Sequence, residues 1–209
     1  MKKLLFIFLL AGTITASFAQ TINYGIKAGL NLSQLSRSNA SSYGSSLLTG
    51  FNAGVIVDIG FQNFSIQPGI FYSTKGEKDA TEFAGAGSTN GNIQYLPSKT
   101  VLGYIEVPVN FLYKTKVAPG LILNLGGGPY IAYGVSQSLS IQYTAAGQNL
   151  GGSGSFEYKN PDWGINFVAG VQVKKFIVDA GYGLGINNLL DQFPMHNRVI
   201  SLSVGYMFR

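Results

Sequence analysis

The chain has 209 residues, no cysteine, and 14 basic residues against 9 acidic ones, for a formal net charge of +5. Without cysteine there is neither a disulfide framework nor a thiolate metal site, and the mild charge without a basic run argues against nucleic-acid binding. Only 11% of the residues are charged and 28 are glycine, whereas soluble domains carry about 25% charged residues. This composition favours one lipid-facing β-domain over a soluble sandwich.

The first 19 residues have the features of a secretory signal peptide. Two lysines precede the apolar run Leu4–Ala11, and a small-x-small triplet ends at Ala19. The run is shorter than the about 20 residues that a transmembrane helix needs. We therefore expect cleavage after Ala19 and one mature domain over residues 20–209, with 12 basic and 9 acidic residues.

Beyond the leader, large apolar side chains alternate with small or polar ones in segment after segment. In Ile105–Tyr113 the odd positions are Ile, Val, Val, Phe and Tyr, whereas the even positions include Glu106 and Asn110. Alternate residues of a strand lie on opposite faces, so each segment predicts a strand with one apolar and one polar face. The eight predicted strands are Ile22–Ser33, Thr49–Ile59, Phe64–Lys75, Thr100–Tyr113, Leu121–Ser140, Asp162–Val173, Phe176–Leu184 and Arg198–Phe208.

The connections between these strands alternate in length. The short ones are 60–63, 114–120 and 174–175, and the long ones lie near 34–48, 76–99, 141–161 and 185–197. An even strand number with short periplasmic turns and longer extracellular loops is typical of membrane barrels. Glycines and charged residues occupy the polar face of the strands, which suits a narrow interior that contacts water. The apolar face is therefore expected to form the outer wall of the barrel. We predict an all-β fold, an eight-stranded antiparallel up-and-down transmembrane β-barrel.

Aromatic residues on the apolar parity fall at both ends of the predicted strands. Such residues form girdles at the two membrane interfaces of spanning barrels. The predicted girdle residues are Tyr24, Phe64, Tyr113, Phe176, Tyr206 and Phe208 at the ends with short turns, and Phe51, Tyr72, Tyr133 and Trp163 at the other ends.

The polar parity predicts a narrow lumen. Eight strands enclose a bore only wide enough for side chains to fill, and glycines dominate this parity. Its charged residues, the predicted polar network of the lumen, are Lys27, Asp58, Lys75, Glu106 and Asp179. Unpaired charges are costly in such an interior, so opposite charges are expected to pair, with Lys27 and Glu106 as the first candidate pair. A proton or solute path along these residues is the alternative.

No motif for catalysis, cofactor binding or metal binding is recognised, and none of these activities is expected. The single histidine, His196, lies in the last long connection. In a lipid-modifying enzyme, Ser136 or Ser138 of the fifth predicted strand would approach it across the rim of the barrel. No nucleophile motif surrounds them, and one histidine without cysteine is a poor metal ligand set. The acidic residues between Glu77 and Glu82 alternate with lysines, which predicts a solvated loop rather than a calcium site.

Five motifs in order resemble those of PorT-like outer-membrane β-barrel proteins. They are YGIKAGLNLS at 24–33, QPGIFYS at 67–73, YIEVP at 104–108, GPY at 128–130 and SLSVGYMF at 201–208. The resemblance spans essentially the whole mature chain. It implies an outer-membrane barrel from a family whose members mostly lack an assigned activity, one named member supporting a protein-secretion system.

The preferred hypothesis is a non-enzymatic outer-membrane barrel whose loops contact the cell surface or a partner, accessory to secretion or envelope integrity. Tyr43, Phe83 and Tyr95 are the predicted loop contacts. The expected partners are outer-membrane lipid and lipopolysaccharide, the barrel-assembly machinery during biogenesis and a protein bound by the loops, with no nucleic acid. The alternatives are a narrow channel for small or apolar solutes, a lipid-modifying enzyme centred on His196, and a soluble ligand-carrying barrel.

Overall fold

The chain is antiparallel β-structure throughout the ranges that the computed structural model describes, which are 21–37, 46–83, 94–145, 148–154, 160–189 and 195–208. The strands are β1 (Thr21–Arg37), β2 (Ser46–Phe61), β3 (Phe64–Phe83), β4 (Gln94–Ala118), β5 (Leu121–Ala145), β6 (Gln148–Gly154), β7 (Asp162–Val173), β8 (Phe176–Gly185) and β9 (Met195–Met207). Within these ranges no helix is long and apolar enough to cross a membrane. The predicted signal peptide and Tyr43 lie outside them, and so do the side chains of Phe83 and Tyr95.

Eight of the strands close into a barrel. Each strand pairs with its neighbours in the order β1, β2, β3, β4, β5, β7, β8, β9, and pairing of β1 with β9 completes the ring. Every pair is antiparallel, so the predicted eight-stranded barrel is confirmed. The strand β6 is additional: among the described residues it pairs with β5 alone, opposite Leu139–Ala145.

The barrel strands extend further than the apolar alternation predicts, and they do so on one side. The pairing of β3 with β4 continues to Phe83 opposite Gln94, and that of β4 with β5 to Ser98 opposite Ile141. The stretches near 76–99 and 141–161, which were predicted to be loops, therefore contain much strand. Backbone hydrogen bonds do not require an apolar face, so pairing continues beyond the point where the alternation ends.

Three two-residue turns define one end of the barrel, named here the short-turn end. They are Gln62-Asn63, Pro119-Gly120 and Lys174-Lys175. Gln62, Lys174 and Gly120 have φ of 51°, 53° and 77°, the positive values that match the twist of two-residue hairpins. The predicted short connections are therefore confirmed, and two are shorter than expected. The opposite end is named the long-loop end.

The two faces of the wall are inverted relative to a soluble barrel. On β9, Leu202 and Val204 are 59% and 61% exposed on the outside, whereas Ser203 between them is 7% exposed and faces the lumen. The same alternation runs along β7 and β8. The outer surface is therefore apolar, and the lumen of the described barrel holds buried polar and charged side chains.

Candidate functional site

Within the described ranges, three groups of ion-paired side chains cross the lumen, and the first joins Lys27 on β1 to Asp179 on β8. Both side chains are buried, and the pair reaches across the intervening strand β9. Two glycines provide the space: a Cβ at Gly205 would lie 2.7 Å from the Cγ of Lys27, and one at Gly170 would lie 1.8 Å from the Oδ1 of Asp179. Larger residues at these positions would displace the pair.

The second group holds Asp58, which lies near the short-turn end of β2 and is 2% exposed. Its Oδ2 lies 2.6 Å from the Nζ of Lys114 on β4. The same oxygen accepts hydrogen bonds from the Oγ of Ser65 at 3.2 Å and the Nε2 of Gln67 at 3.0 Å, both on β3. Desolvation of this carboxylate is therefore offset by one cation and two neutral donors.

The third group surrounds Lys75 on β3, in the half of the barrel nearer the long-loop end. Its Nζ lies 2.7 Å from the Oε2 of Glu106 on β4 and 3.6 Å from the Oδ2 of Asp162 on β7. The ammonium also lies 4.4 Å from the ring centroid of Tyr130 and 5.3 Å from that of Tyr104. One buried cation thus holds two carboxylates and contacts two aromatic faces.

Neutral donors also contact these two carboxylates. The Oδ2 of Asp162 accepts from the hydroxyl of Tyr130 at 3.3 Å and from the Nδ2 of Asn197 at 2.8 Å. The Oε1 of Glu106 accepts from the Nδ2 of Asn166 at 3.3 Å. The Lys75 group therefore ties β3, β4, β5, β7 and β9 together across the bore.

Amide and hydroxyl side chains form a further network between β1, β2, β3 and β9. The Nδ2 of Asn52 donates to the Oδ1 of Asn31 at 2.7 Å, and the Oγ of Ser203 donates to the Oδ1 of Asn52 at 3.3 Å. The Nδ2 of Asn31 donates in turn to the Oγ of Ser73 at 3.1 Å. This network occupies part of the lumen without adding net charge.

The predicted pairing of Lys27 with Glu106 is wrong. Lys27 binds Asp179, while Glu106 binds Lys75 from the neighbouring strand. The sequence indicates only how far along its strand each residue lies. Because tilted strands are staggered around the barrel, residues at similar positions along their strands need not meet. All five predicted lumen charges lie inside the barrel, but Asp162 was missed. It opens β7 on the same parity as Asn166, which is the signal that identifies it.

A cavity of about 100 Å³ lies between these groups. Lys27, Lys75 and Glu106 line it, together with Asn110 and the glycines Gly181 and Gly183. The Oδ1 of Asn110 is buried and accepts no hydrogen bond from the described residues. A void of this size, lined by both polar and apolar side chains, has room for a few water molecules, since one water needs about 10–15 Å³.

The predicted girdle residues all lie on the outer wall. Eight of them are exposed, namely Tyr24, Phe51, Phe64, Tyr113, Tyr133, Trp163, Phe176 and Phe208. Tyr72 and Tyr206 are half-buried because neighbouring rings cover them, with centroid distances of 5.6 Å from Phe51 to Tyr72 and 5.3 Å from Phe176 to Tyr206. The interfacial role of these residues stays a prediction.

The histidine and Ser136, the candidates for an enzyme, contact other groups. The Nδ1 of His196 contacts the backbone oxygen of Asn187 at 3.0 Å, whereas the Oγ of Ser136 contacts the hydroxyl of Tyr72 at 3.4 Å. Among the described residues no group of three or more His, Cys, Asp or Glu side chains is arranged to hold a metal ion.

The predicted solvated acidic loop is wrong for Glu77. This residue lies within β3 and is 3% exposed. The strand continues past Lys75, and its inward parity carries Glu77 into the barrel. The side chains of Asp79 and Glu82 lie outside the described residues.

Comparisons with known proteins identify a family, and the similar solved structures include the following two. The chain is similar to Ail, the attachment invasion locus protein of Yersinia pestis, with 16% identity, a TM-score of 0.44, and coverage of 89% of this chain and 98% of Ail. It is also similar to Neisserial surface protein A (NspA), with 13% identity, a TM-score of 0.48, and coverage of 88% and 97%. No curated protein matches the chain. Residues 18–191 match the model of the outer membrane protein beta-barrel domain, and the chain therefore belongs to that family.

Proposed function

We propose that this outer-membrane barrel is not an enzyme, that its lumen is sealed by its own side chains, and that its long-loop end carries its specific contacts. The observation that supports the sealed lumen most strongly is the Lys75 group. A single cation, 4% exposed in its side chain, is shared by two carboxylates from different strands. A solute moving along the bore would have to separate these charges.

Separating such charges is unfavourable because they are out of water. Removing one partner of a buried ion pair costs about 3–5 kcal/mol, and a passing solute would leave the same charges transiently unpaired. The Lys27–Asp179 pair lies elsewhere in the same bore and adds a second barrier. Two such barriers in series favour a closed barrel over a conducting one.

The long-loop end supports a role in surface or partner contacts. Strands β4 and β5 have 25 residues each, whereas β8 has 10. At about 3.3 Å per residue, this difference carries β5 well beyond β7 and β8 at the long-loop end, and β3 and β4 continue beside it. We assign the outer wall to membrane lipid, and the extension to lipopolysaccharide or a protein partner. The PorT-like motifs favour a role accessory to secretion or envelope integrity, with cleavage after Ala19 and insertion by the barrel-assembly machinery.

The second candidate is a narrow channel for small or apolar solutes, and the cavity is the observation that favours it. The void of about 100 Å³ is lined in part by polar side chains such as Asn110. A channel would need this cavity to connect with both ends, which requires the ion-paired groups on its walls to part.

Conductance in planar bilayers distinguishes the two candidates. We expect the wild-type barrel to produce no steady current steps in concentrated KCl. A variant in which Lys75, Glu106, Asp162, Lys27 and Asp179 are all alanine is expected to conduct, because the bore then lacks its large charged side chains. Steady wild-type steps as large as those of the alanine variant would contradict the sealed lumen. Osmotic swelling of vesicles carrying the wild-type barrel gives the same answer if the variant does not fold.

A further inference from the structure

The short-turn end presents a cluster of exposed lysines on two neighbouring turns. Lys116 lies near the end of β4, and Lys174 and Lys175 form the turn between β7 and β8. The backbone nitrogen of Lys174 donates to the oxygen of Gly120 at 2.9 Å. This bond holds the turn after β4 against the turn after β7, so the three lysines lie at the same edge of the barrel, and we name them the lysine rim.

No acidic side chain of the described residues neutralises the lysine rim. The carboxylate nearest this end, Asp58, is 2% exposed and already bound to Lys114. Asp179 on β8 is 6% exposed and paired with Lys27. Both carboxylates of this half of the barrel thus point inward and pair with lysines of the lumen. Within the described part of the chain, the exposed surface of the short-turn end therefore carries positive charge.

Exposed aromatic rings lie directly beside these lysines on the outer wall. Phe176 follows Lys175 in the chain and is 64% exposed. Its ring contacts Tyr206 at 5.3 Å, and Tyr206 contacts Phe208 at 5.6 Å. The Nζ of Lys175 donates to the backbone oxygen of Phe208 at 3.1 Å, which places the ammonium at the edge of this aromatic surface.

We propose that the lysine rim binds the phosphate of an anionic phospholipid, with Lys174 and Lys175 at the headgroup and Phe176 along an acyl chain. The inference rests on the proposed membrane-facing wall but not on the sealed lumen. Ammonium groups bordering exposed rings match a molecule with a phosphate at one end and hydrocarbon at the other. A cell-wall polymer would offer negative charge but no counterpart for the exposed rings, so the chemistry favours a lipid of the leaflet at the short-turn end.

Native mass spectrometry of the mature barrel in detergent tests this site. The probes are phosphatidylglycerol and phosphatidylcholine with the same acyl chains. We expect the wild type to retain phosphatidylglycerol preferentially, and the double variant Lys174→Gln/Lys175→Gln to lose roughly thirtyfold in that preference, since each basic residue at a membrane surface contributes about 1 kcal/mol and two are removed. Retention of phosphatidylcholine is expected to stay unchanged.

The matched control is Lys78→Gln/Lys99→Gln, which removes the same charge from exposed register partners in the long-loop half. It is expected to bind phosphatidylglycerol as the wild type does. An equal fall in both double variants would overturn the proposal, because net charge alone would then explain retention. No fall in either variant, or wild-type binding of soluble peptidoglycan fragments without binding of phosphatidylglycerol, would overturn it as well. Heat-modifiable electrophoretic mobility verifies that each variant is folded.

Discussion

Replacing Lys75 with Met is expected to destabilise the folded barrel by about 3–5 kcal/mol, the usual cost of leaving a buried charge unpaired. The lysine is 3% exposed and is shared by Glu106 and by Asp162, whose side chain is fully buried. Methionine fills most of the volume but carries no charge, so two carboxylates would remain together without a cation. Equilibrium unfolding in guanidinium chloride, followed by intrinsic fluorescence in lipid vesicles, measures the loss.

Two further variants show whether charge causes the loss. Lys78→Met, at an exposed position of the same strand, is expected to change stability by about 0.5 kcal/mol or less. Adding Glu106→Gln and Asp162→Asn to Lys75→Met is expected to recover much of the stability, because the unpaired charges are then gone. Stability of Lys75→Met within about 1 kcal/mol of wild type would show that the ion-paired group contributes little.

Replacing Leu202 with Arg is expected to cost about 2–4 kcal/mol, the value for an arginine at the midplane of a lipid-facing wall. Leu202 is 59% exposed and lies opposite Leu30, which is 60% exposed, near the middle of β9 and β1. In a soluble barrel the same exposed position would face water, and the substitution would change stability by about 0.5 kcal/mol or less. The unfolding free energy in phospholipid vesicles separates these cases.

Val117 provides the matched position for this measurement. It is 63% exposed but lies one residue from the end of β4, at the short-turn end. Val117→Arg is expected to cost about 0–1 kcal/mol, because lipid-facing charges become tolerable near the interface. An equal loss of unfolding free energy for Leu202→Arg and Val117→Arg would contradict a lipid-facing wall, because the cost of arginine would then not depend on depth in the membrane.

The faces of the strands were predictable from the sequence because they depend on local geometry alone. Side chains alternate with a period of two, so the composition of each parity in a segment such as Ile105–Tyr113 predicts which face is apolar. The short turns also follow from local signals, such as Pro119-Gly120. All eight barrel strands and their order were recoverable for these reasons.

The ion-pair partners were not predictable because they depend on how strands are staggered around the ring. Lys27 and Asp179 are 152 residues apart in sequence and lie on strands separated by β9. The alternation along each strand places both on the inward face, but nothing in it gives their relative height. Without the relative heights of the strands, the ion pair between Lys75 on β3 and Asp162 on β7 was not predictable either.

The long-loop end was underestimated for a different reason. Strand β6 has the sequence QNLGGSG, whose glycines, asparagine and serine weaken strand propensity and predict a loop. Its backbone nevertheless pairs with β5 over seven register positions. The long neighbouring strand β5 provides the backbone groups with which β6 pairs. A prediction from residue propensities takes no account of such a neighbour.

The sealed lumen is tested most directly by thiol labelling, because the chain has no cysteine of its own. Ser203 is 7% exposed and hydrogen-bonded to Asn52 inside the bore, whereas Ser138 on β5 is exposed. With the barrel folded in vesicles and a membrane-impermeant maleimide present on both sides, Ser138→Cys is expected to be labelled rapidly. Ser203→Cys is expected to stay unlabelled until the barrel is denatured, and labelling of Ser203→Cys as fast as Ser138→Cys would contradict a lumen closed by its side chains.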